Sequence, residues 1–257
     1  MNEAFTPSDY PVADAPAMSL GATLSGIFFE PGRTFEALRA RPRFLVVGLI
    51  LTALTLLFSV LFFQKYGFDA IMRAVLEAQP GMDPAAREKA LEFYRGPAGK
   101  AMMWVLPLLG VPLTIAAGAG LYLLGTVAMG KAMKYSQALS VWVYASLPPV
   151  LLLTLANTLV LFLKPLDRDE LGAVAQRGSL VQASPAILLS ATEHPILTTL
   201  LGSLNVFEIY GLLLAAIGLQ KVAKLSKGTA WGIVIFFYLL KVLATVGKAA
   251  ISGAAAA

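Results

Sequence analysis

The chain contains no cysteine and only 1 histidine among its 257 residues. The missing cysteines exclude disulfide bonds, thiol catalysis and thiolate metal sites, and a single histidine excludes a histidine-rich metal site. Charge is also scarce, because only 14% of the residues are Asp, Glu, Lys or Arg, whereas a soluble domain carries roughly 25%. The chain therefore has too few charged groups to cover a globular surface in water.

Hydrophobic residues make up 58% of the chain, and its mean hydropathy is +0.74. The solvent that suits this composition is a lipid bilayer, so the sequence predicts an all-α polytopic membrane protein. The net charge of +5 is then explained by basic loops that face an anionic leaflet. Nucleic acid is not expected as a partner.

Motifs that mark common catalytic sites are missing. The chain has no G-x-x-x-x-G-K-[ST], no H-E-x-x-H and no G-x-S-x-G sequence, which are the patterns of phosphate-binding loops, zinc proteases and serine hydrolases. It also offers no nucleophile next to a base, and no two carboxylates within the apolar runs. We therefore expect a protein without enzymatic activity, cofactor or metal ion.

Five long apolar runs predict five transmembrane helices. The first has 20 residues without a charge and spans roughly 30 Å as a helix, which is the thickness of the hydrocarbon core. Prolines inside the second and third runs predict kinked or broken helices; they are Pro107, Pro112, Pro148 and Pro149. The predicted spans are 44–63, 101–129, 138–163, 197–219 and 230–247.

These spans place one membrane domain at residues 26–251. The preceding residues 1–25 contain three prolines, three acids and no Lys or Arg. They lack the basic start and the apolar core of a signal peptide, and they predict a disordered tail. A second tail, rich in alanine, is expected at 252–257.

Basic residues near the ends of the spans predict the orientation. The segment before the first span and the short loops 130–137 and 220–229 carry nine Lys or Arg against two acids, once residues 1–25 are set aside. In the longer connections 64–100 and 164–196 the charges of opposite sign nearly cancel. The positive-inside rule therefore predicts a cytoplasmic N-terminus and an outer C-terminus.

The sequence just before the first span, FFEPGRTFEALRARPR at 28–43, combines aromatic and basic residues. Pro31 suits the first turn of a helix, and Phe35 and Leu38 fall on one face of it. We expect a short interfacial helix whose apolar side lies at the headgroup boundary; an ordinary linker is the alternative. The residues expected to contact lipid or a partner are Phe28, Phe29, Arg33, Phe35, Arg39, Arg41 and Arg43.

The two long connections are expected outside the membrane, on the other side. In 64–100, apolar residues of DAIMRAVLEA fall on one helical face, and Asp83 and Pro84 suit the start of a second helix. We therefore expect a helical hairpin there, with a solvated loop as the alternative. The connection 164–196 mixes acidic residues with Gly, Ser and Gln and is expected to be a mobile loop.

Two ionisable residues, Glu208 and Lys241, lie inside the predicted fourth and fifth spans, where such residues are costly and often functional. Counted from the loop between these spans, their depths agree within about 2 Å at a rise of about 1.5 Å per residue. We therefore expect an intramembrane pair. The alternative is that Lys241 reaches the membrane surface while Glu208 lies in water at a frayed helix start.

Three stretches of the chain, taken together, resemble segments of one known family. They are GIFFEPGRTFEALRARPRFLVVGLIL at 26–51, YSQALSVWVYASLPPVLL at 135–152 and NVFEIYGLLLAAIGLQKVAKLSKGTAWGIVI at 205–235. The first resembles the start of bacterial members of the Yip-one domain family, the Ypt-interacting membrane proteins. The second resembles the third span of that family, and the third resembles its fourth and fifth spans.

This resemblance implies five spans, a cytoplasmic N-terminus, a place in the bacterial cytoplasmic membrane and a role as an adaptor or in membrane shaping. Eukaryotic relatives bind prenylated Rab-type GTPases. The DLYGP-like motif of those relatives has no clear counterpart here, and EFYRGP at 92–97 is at most distantly similar. GTPase binding is therefore not carried over to this chain.

The expected function is that of a non-enzymatic membrane protein that organises the membrane or recruits partners. Its expected contacts are anionic headgroups, a cytoplasmic protein or a second copy of the chain. The alternative is a permease for small solutes or ions, or a permease subunit, that uses Glu208, Lys241 and the proline-containing spans.

Overall fold

The computed structural model describes residues 18–79, 81–189 and 194–254. Within these residues the protein is all-α, as predicted. The α-helices are α1 Leu20–Phe29, α2 Pro31–Ala40, α3 Leu45–Tyr66, α4 Phe68–Glu77, α5 Pro84–Arg95, α6 Pro97–Ala128, α7 Tyr135–Leu163, α8 Arg168–Arg177, α9 Pro195–Gly202, α10 Val206–Val222 and α11 Lys227–Ala254. A short 3₁₀ helix, Pro185–Leu188, precedes α9.

Five membrane crossings fit these helices. Four of them, α3, α6, α7 and α11, are each long and apolar enough to span a bilayer. The shortest of the four by residue count is α3, whose 22 residues give a length of about 33 Å. The remaining crossing is the pair α9 and α10, whose axes bend by 49° at a short break and which pass the same test together.

Contacts between helices show which connections share an end of the bundle. α2 contacts α7 and α10, and Lys221 Nζ of α10 binds Glu36 Oε1 of α2 at 2.6 Å. At the other end, α4 packs against α8. Successive connections therefore lie alternately at the two ends of the bundle, as five crossings require. We call the end formed by residues 20–43, 129–134 and 220–229 the basic end, and the other the opposite end.

α7 lies at the centre of the bundle. It contacts α1, α2, α3, α6 and α10, and its first half contains the buried side chains of Val141, Val143 and Tyr144. Gly218 lets α10 approach closely, because a Cβ there would lie 2.8 Å from Val141 Cγ1. This contact sets the position of α10, which carries part of the candidate site.

Helix α1 corrects the predicted boundary of the N-terminal tail. It begins within residues 1–25, and Ser19 caps it by accepting a backbone hydrogen bond at 3.1 Å. Thr23 is buried, and its Oγ1 lies 3.1 Å from the Tyr144 hydroxyl of α7. That contact joins α1 to the bundle. The tail predicted for residues 1–17 lies outside the described residues.

Helix α11 continues beyond the predicted fifth span. It ends at Ala254, so residues 252–254 of the predicted alanine-rich tail are helical, whereas 255–257 lie outside the described residues. α6 and α7 begin 4 and 3 residues before their predicted spans. An apolar run ends at the hydrocarbon edge, whereas helical hydrogen bonding continues beyond it. The length of the run therefore underestimates the length of the helix.

The four prolines of the second and third crossings do not interrupt their helices. Pro107 and Pro112 lie inside α6, and Pro148 and Pro149 lie inside α7. Neighbouring helices and local adjustments can satisfy the backbone groups that a proline frees in a membrane helix. The interruption occurs instead in the fourth crossing, at residues 203–205, which read Ser-Leu-Asn.

The connections at the opposite end are helical. α4 and α5 form the hairpin predicted for 64–100, and α8 replaces much of the predicted mobile loop. Asp167 caps α8 by accepting a hydrogen bond from the Glu170 N–H at 2.8 Å. The helix lies close to α4, because a Cβ at Gly172 would lie 2.7 Å from the Ala74 carbonyl oxygen. The Asp167 cap and packing against α4 together account for a defined helix in this stretch.

Candidate functional site

The break in the fourth crossing brings polar groups inside the bundle. α9 ends at Gly202, and Asn205 caps α10 with its Oδ1 accepting a hydrogen bond from the Phe207 N–H at 2.9 Å. The Val206 N–H donates to the Ala183 carbonyl at 3.0 Å. Irregular backbone at membrane depth is tolerated where it is buried in protein or lines a cavity. The break therefore indicates a site rather than a lipid-facing surface.

Glu208 lies in the first turn of α10, and Lys241 of α11 donates a hydrogen bond from its Nζ to Glu208 Oε1. Each residue is 14 positions from the end of its helix at the basic end, a depth of about 21 Å. The helix dipole also favours a carboxylate in the first turn of α10. The structure thus brings together the two ionisable residues that the sequence places at one depth.

This ion pair is only partly enclosed. The side chain of Lys241 is 61% exposed and that of Glu208 is 27% exposed. One helical turn away on α11, the Tyr238 hydroxyl donates a hydrogen bond to the Ser203 carbonyl at the break. α11 is therefore joined to the broken crossing at two neighbouring points.

A cleft of about 390 Å³ lies beside the break, between α7 and α10. Its walls are mainly apolar and include Tyr122 of α6 and Trp142 of α7, whose ring centroids are 5.0 Å apart. Gly118 makes room for this indole, because a Cβ there would lie 2.3 Å from Trp142 Cζ2. Polar groups of Glu208 and Arg177 also line the cleft. The cleft is thus amphipathic.

The chain that follows α8 forms the polar end of the cleft. Asn157 of α7 holds this chain, with its Oδ1 accepting hydrogen bonds from Ser179 Oγ, the Leu180 N–H and the Val181 N–H at 3.1, 3.0 and 2.9 Å. Arg177 at the end of α8 is thereby placed on the cleft rim. Burial lowers the pKa of its guanidinium, which the charge of a nearby carboxylate partly offsets. The group remains a cation at neutral pH.

At the basic end, α2 is attached to the bundle by the buried side chains of Phe35 and Leu38 and by two polar contacts. Phe35 is fully buried. Glu36 binds Lys221, and Gln137 Nε2 donates to the Arg39 carbonyl at 2.7 Å. Phe35 is therefore a core residue, which corrects the prediction that it contacts lipid or a partner. The apolar face of α2 turns toward α7 and α10 instead of the headgroups.

The other predicted contact residues remain accessible to different degrees. Phe29 is 84% exposed, and both acids of this end are already paired, Glu30 with Arg33 at 3.2 Å and Glu36 with Lys221. Nine basic residues against these two acids leave 9 − 2 = +7 at the basic end. Exposed are Phe29, Arg33 and Arg41, and half-buried are Phe28, Arg39 and Arg43.

A match to a family model over most of the chain decides the family. In the structure α1 and α2 come first, and the broken fourth crossing, with Glu208 in the first turn of α10, leads through a short basic loop into the fifth. The family model for the Yip1 domain matches residues 25–248. The chain belongs to the Yip1 domain family. Comparison with curated proteins and with solved structures found no match.

The Yip1 domain of this chain thus contains both candidate regions, the basic end and the cleft with its ion pair. Within the described residues, no three His, Asp or Glu side chains lie together in a way that could hold a metal ion. The groups that the cleft offers are a paired carboxylate, a guanidinium, an amide and apolar walls. Such a set of groups is chemically suited to an ion or an amphiphile.

Sequence reasoning missed the part of the cleft that Arg177 and Asn157 build. Arg177 lies in a connection whose composition resembles a loop, and Asn157 reads as a polar contact between helices. The sequence did contain one signal, the amide side chain of Asn157, because a polar side chain within a span needs a hydrogen-bond partner. Nothing in the local pattern shows that this partner is the chain after α8.

Proposed function

We propose that this Yip1-domain protein is a non-enzymatic scaffold that organises the membrane or recruits a partner through its basic end. The observation that carries the proposal is the attachment of α1 and α2, because buried Thr23 and Phe35 join both helices to the bundle. Phe29 and the surrounding bases then form a defined surface instead of a linker. A surface of charge +7 attracts anionic headgroups or an acidic partner.

In this proposal the basic end faces the cytoplasm, as the positive-inside rule requires, and the membrane is the bacterial cytoplasmic membrane. Members of the family interact with Rab/Ypt proteins in general, which supports a protein as the recruited partner. Because the DLYGP-like motif has no clear counterpart here, the proposal names the contact surface and not a GTPase. A second copy of the chain would use the same surface.

In-cell photocrosslinking from the basic end tests this proposal. Photoreactive residues at Phe29 and at Lys224 occupy exposed positions on that end, whereas Phe93, which is 51% exposed on α5, serves as the matched control. We expect a discrete protein or anionic-lipid adduct from both basic-end positions and not from Phe93. The same adducts from all three positions, or none from the basic end, would refute the scaffold.

The broken crossing supports a second candidate function. Several transporter folds bind their substrates at discontinuous helices near the bilayer middle, and here the break carries Glu208 beside a cleft and in contact with Lys241. As the alternative we propose a permease for small solutes or ions, or a permease subunit, in which this pair binds the substrate.

Proton and potassium flux into proteoliposomes tests the alternative. The Glu208→Gln variant removes the intramembrane carboxylate, and Glu36→Gln makes the same change at the basic end as a control. Flux that is lost only in Glu208→Gln supports a permease. Flux no greater than that of protein-free liposomes, or flux that both variants retain, argues against it.

A further inference from the structure

We propose that the cleft between α7 and α10 binds one anionic phospholipid, with its phosphate at Arg177 and one acyl chain along the apolar walls. This site is separate from the basic end, because Arg177 lies on α8, which packs against α4 at the opposite end. It therefore does not depend on the scaffold function or on the orientation of the protein. Three features of the cleft support it: its length, the depth of its polar end and its charge.

The apolar part of the cleft has the length of one leaflet. On α7 its wall runs from Trp142 to Leu153, a separation of 11 residues or about 17 Å. Half of the hydrocarbon core measures about 15 Å. The rings of Tyr122 and Trp142, in contact with each other, form the deep end of the cleft. Trp142 lies 21 residues from the end of α7 at the opposite end, a distance of about 31 Å. An acyl chain that enters from the opposite end and fills the cleft therefore passes the bilayer middle by about 10 Å.

The polar end of the cleft lies at the boundary between hydrocarbon and headgroups. α7 has 29 residues and is about 43 Å long, which exceeds the hydrocarbon core by about 13 Å, or about 6 Å at each end if the excess is shared. Asn157, which holds the chain after α8, lies 6 residues from the end of α7, a distance of about 9 Å. Arg177, the last residue of α8, is thereby placed near the edge of the hydrocarbon core, within reach of a lipid phosphate.

The charge of the cleft selects an anion. Glu208 is neutralised by Lys241, whereas Arg177 forms no salt bridge with any residue that the structure describes. Because Lys241 cancels the charge of Glu208, the cleft keeps a net charge of +1 from Arg177. A guanidinium binds phosphate oxygens in a bidentate manner. The apolar walls disfavour a polar solute in the same position, and a zwitterionic lipid would bring a second cation next to Arg177.

Quenching of Trp142 fluorescence by brominated lipids tests this proposal on the full chain. The protein has 3 tryptophans, so Trp104→Phe and Trp231→Phe leave Trp142 as the reporter on the cleft wall. The protein is reconstituted into phosphatidylcholine vesicles that contain increasing fractions of either phosphatidylglycerol or phosphatidylcholine with bromine on its acyl chains. We expect brominated phosphatidylglycerol to reach the same quenching at a severalfold lower fraction than brominated phosphatidylcholine.

Variants at the polar end assign this preference to the proposed contact. Arg177→Gln should abolish the preference and Arg177→Lys should retain part of it, because the charge remains and the bidentate geometry is lost. Arg73→Gln, which removes an exposed charge of α4 at the same end, should leave the preference unchanged. Equal quenching by the two lipids, or a preference that survives in Arg177→Gln, would overturn the proposal.

Variants in the apolar wall test the path of the acyl chain. Gly211→Phe should fill the cleft and reduce quenching by both brominated lipids. Gly211→Ala is the matched control, because a Cβ there would meet Pro149 Cγ at 3.5 Å, an ordinary contact. Undiminished quenching in folded Gly211→Phe protein would place the lipid outside the cleft and overturn the assignment.

Discussion

Replacing Phe35 with alanine should release α2 from the bundle while the spans remain folded. The side chain is fully buried between α2 and its neighbours, and truncation of a buried phenylalanine costs about 3–5 kcal/mol. Phe29→Ala removes the same atoms from a side chain that is 84% exposed, and it should change stability by no more than about 0.5 kcal/mol. The two variants differ chiefly in burial, so their difference measures the attachment of α2.

A second substitution, Gly218→Ala, tests the same contact in combination with Phe35→Ala. A Cβ at Gly218 would lie 2.8 Å from Val141 Cγ1 and 3.1 Å from the Phe35 ring, so Gly218→Ala overpacks the contact at a cost of about 1–3 kcal/mol. When Phe35 is already alanine the ring is absent, and only the contact with Val141 remains. The cost of Gly218→Ala should then fall by about 1 kcal/mol, which is a typical coupling between neighbours.

Denaturant titration of the purified protein in detergent micelles gives the four free energies of unfolding. Trypsin cleavage after Arg33 and Arg39 reports separately whether α2 has left the bundle, and it should accelerate in Phe35→Ala but not in Phe29→Ala. Strict additivity of the Phe35 and Gly218 changes would refute the packing argument. So would a Phe35→Ala variant that is as stable and as resistant to trypsin as Phe29→Ala.

Three further predictions concern the cleft and the opposite end. Glu208→Gln and Lys241→Met, measured singly and together, should show a coupling of about 1–2 kcal/mol, since polar contacts between membrane helices fall in this range; additive effects would mean that the pair contributes nothing to stability. Asn157→Leu removes the acceptor of three hydrogen bonds and should cost about 1–3 kcal/mol, with faster amide exchange in the chain after α8; unchanged exchange there would contradict its role. Gly172→Val should lower the Tm and separate α8 from α4, because any Cβ there lies 2.7 Å from a carbonyl oxygen of α4. The control Gly232→Ala should not lower the Tm, because a Cβ at Gly232 has nothing within 4 Å. Equal Tm values for the two variants would show that the approach of α8 to α4 is not tight.

The sequence by itself determined the class of the protein, the number of spans and their order. An uncharged run such as that of α3 can satisfy its backbone only as a helix in lipid, so its length alone predicts a crossing. The depths of Glu208 and Lys241 could be counted from the loop between their spans, because the rise per residue of a helix is constant. The hairpin of α4 and α5 could also be predicted from the sequence, because turn and cap residues act on the backbone locally.

Only the tertiary structure decided which apolar faces meet protein and which meet lipid. Phe35 and Phe29 are two phenylalanines of one basic segment, yet the first is fully buried and the second is 84% exposed. Asn157 finds its partners 22 to 24 residues further along the chain, beyond the reach of any local pattern. The physical reason is that lipid tails are as apolar as a protein core. A hydrophobic pattern therefore shows that a face is shielded from water, and packing alone shows what shields it.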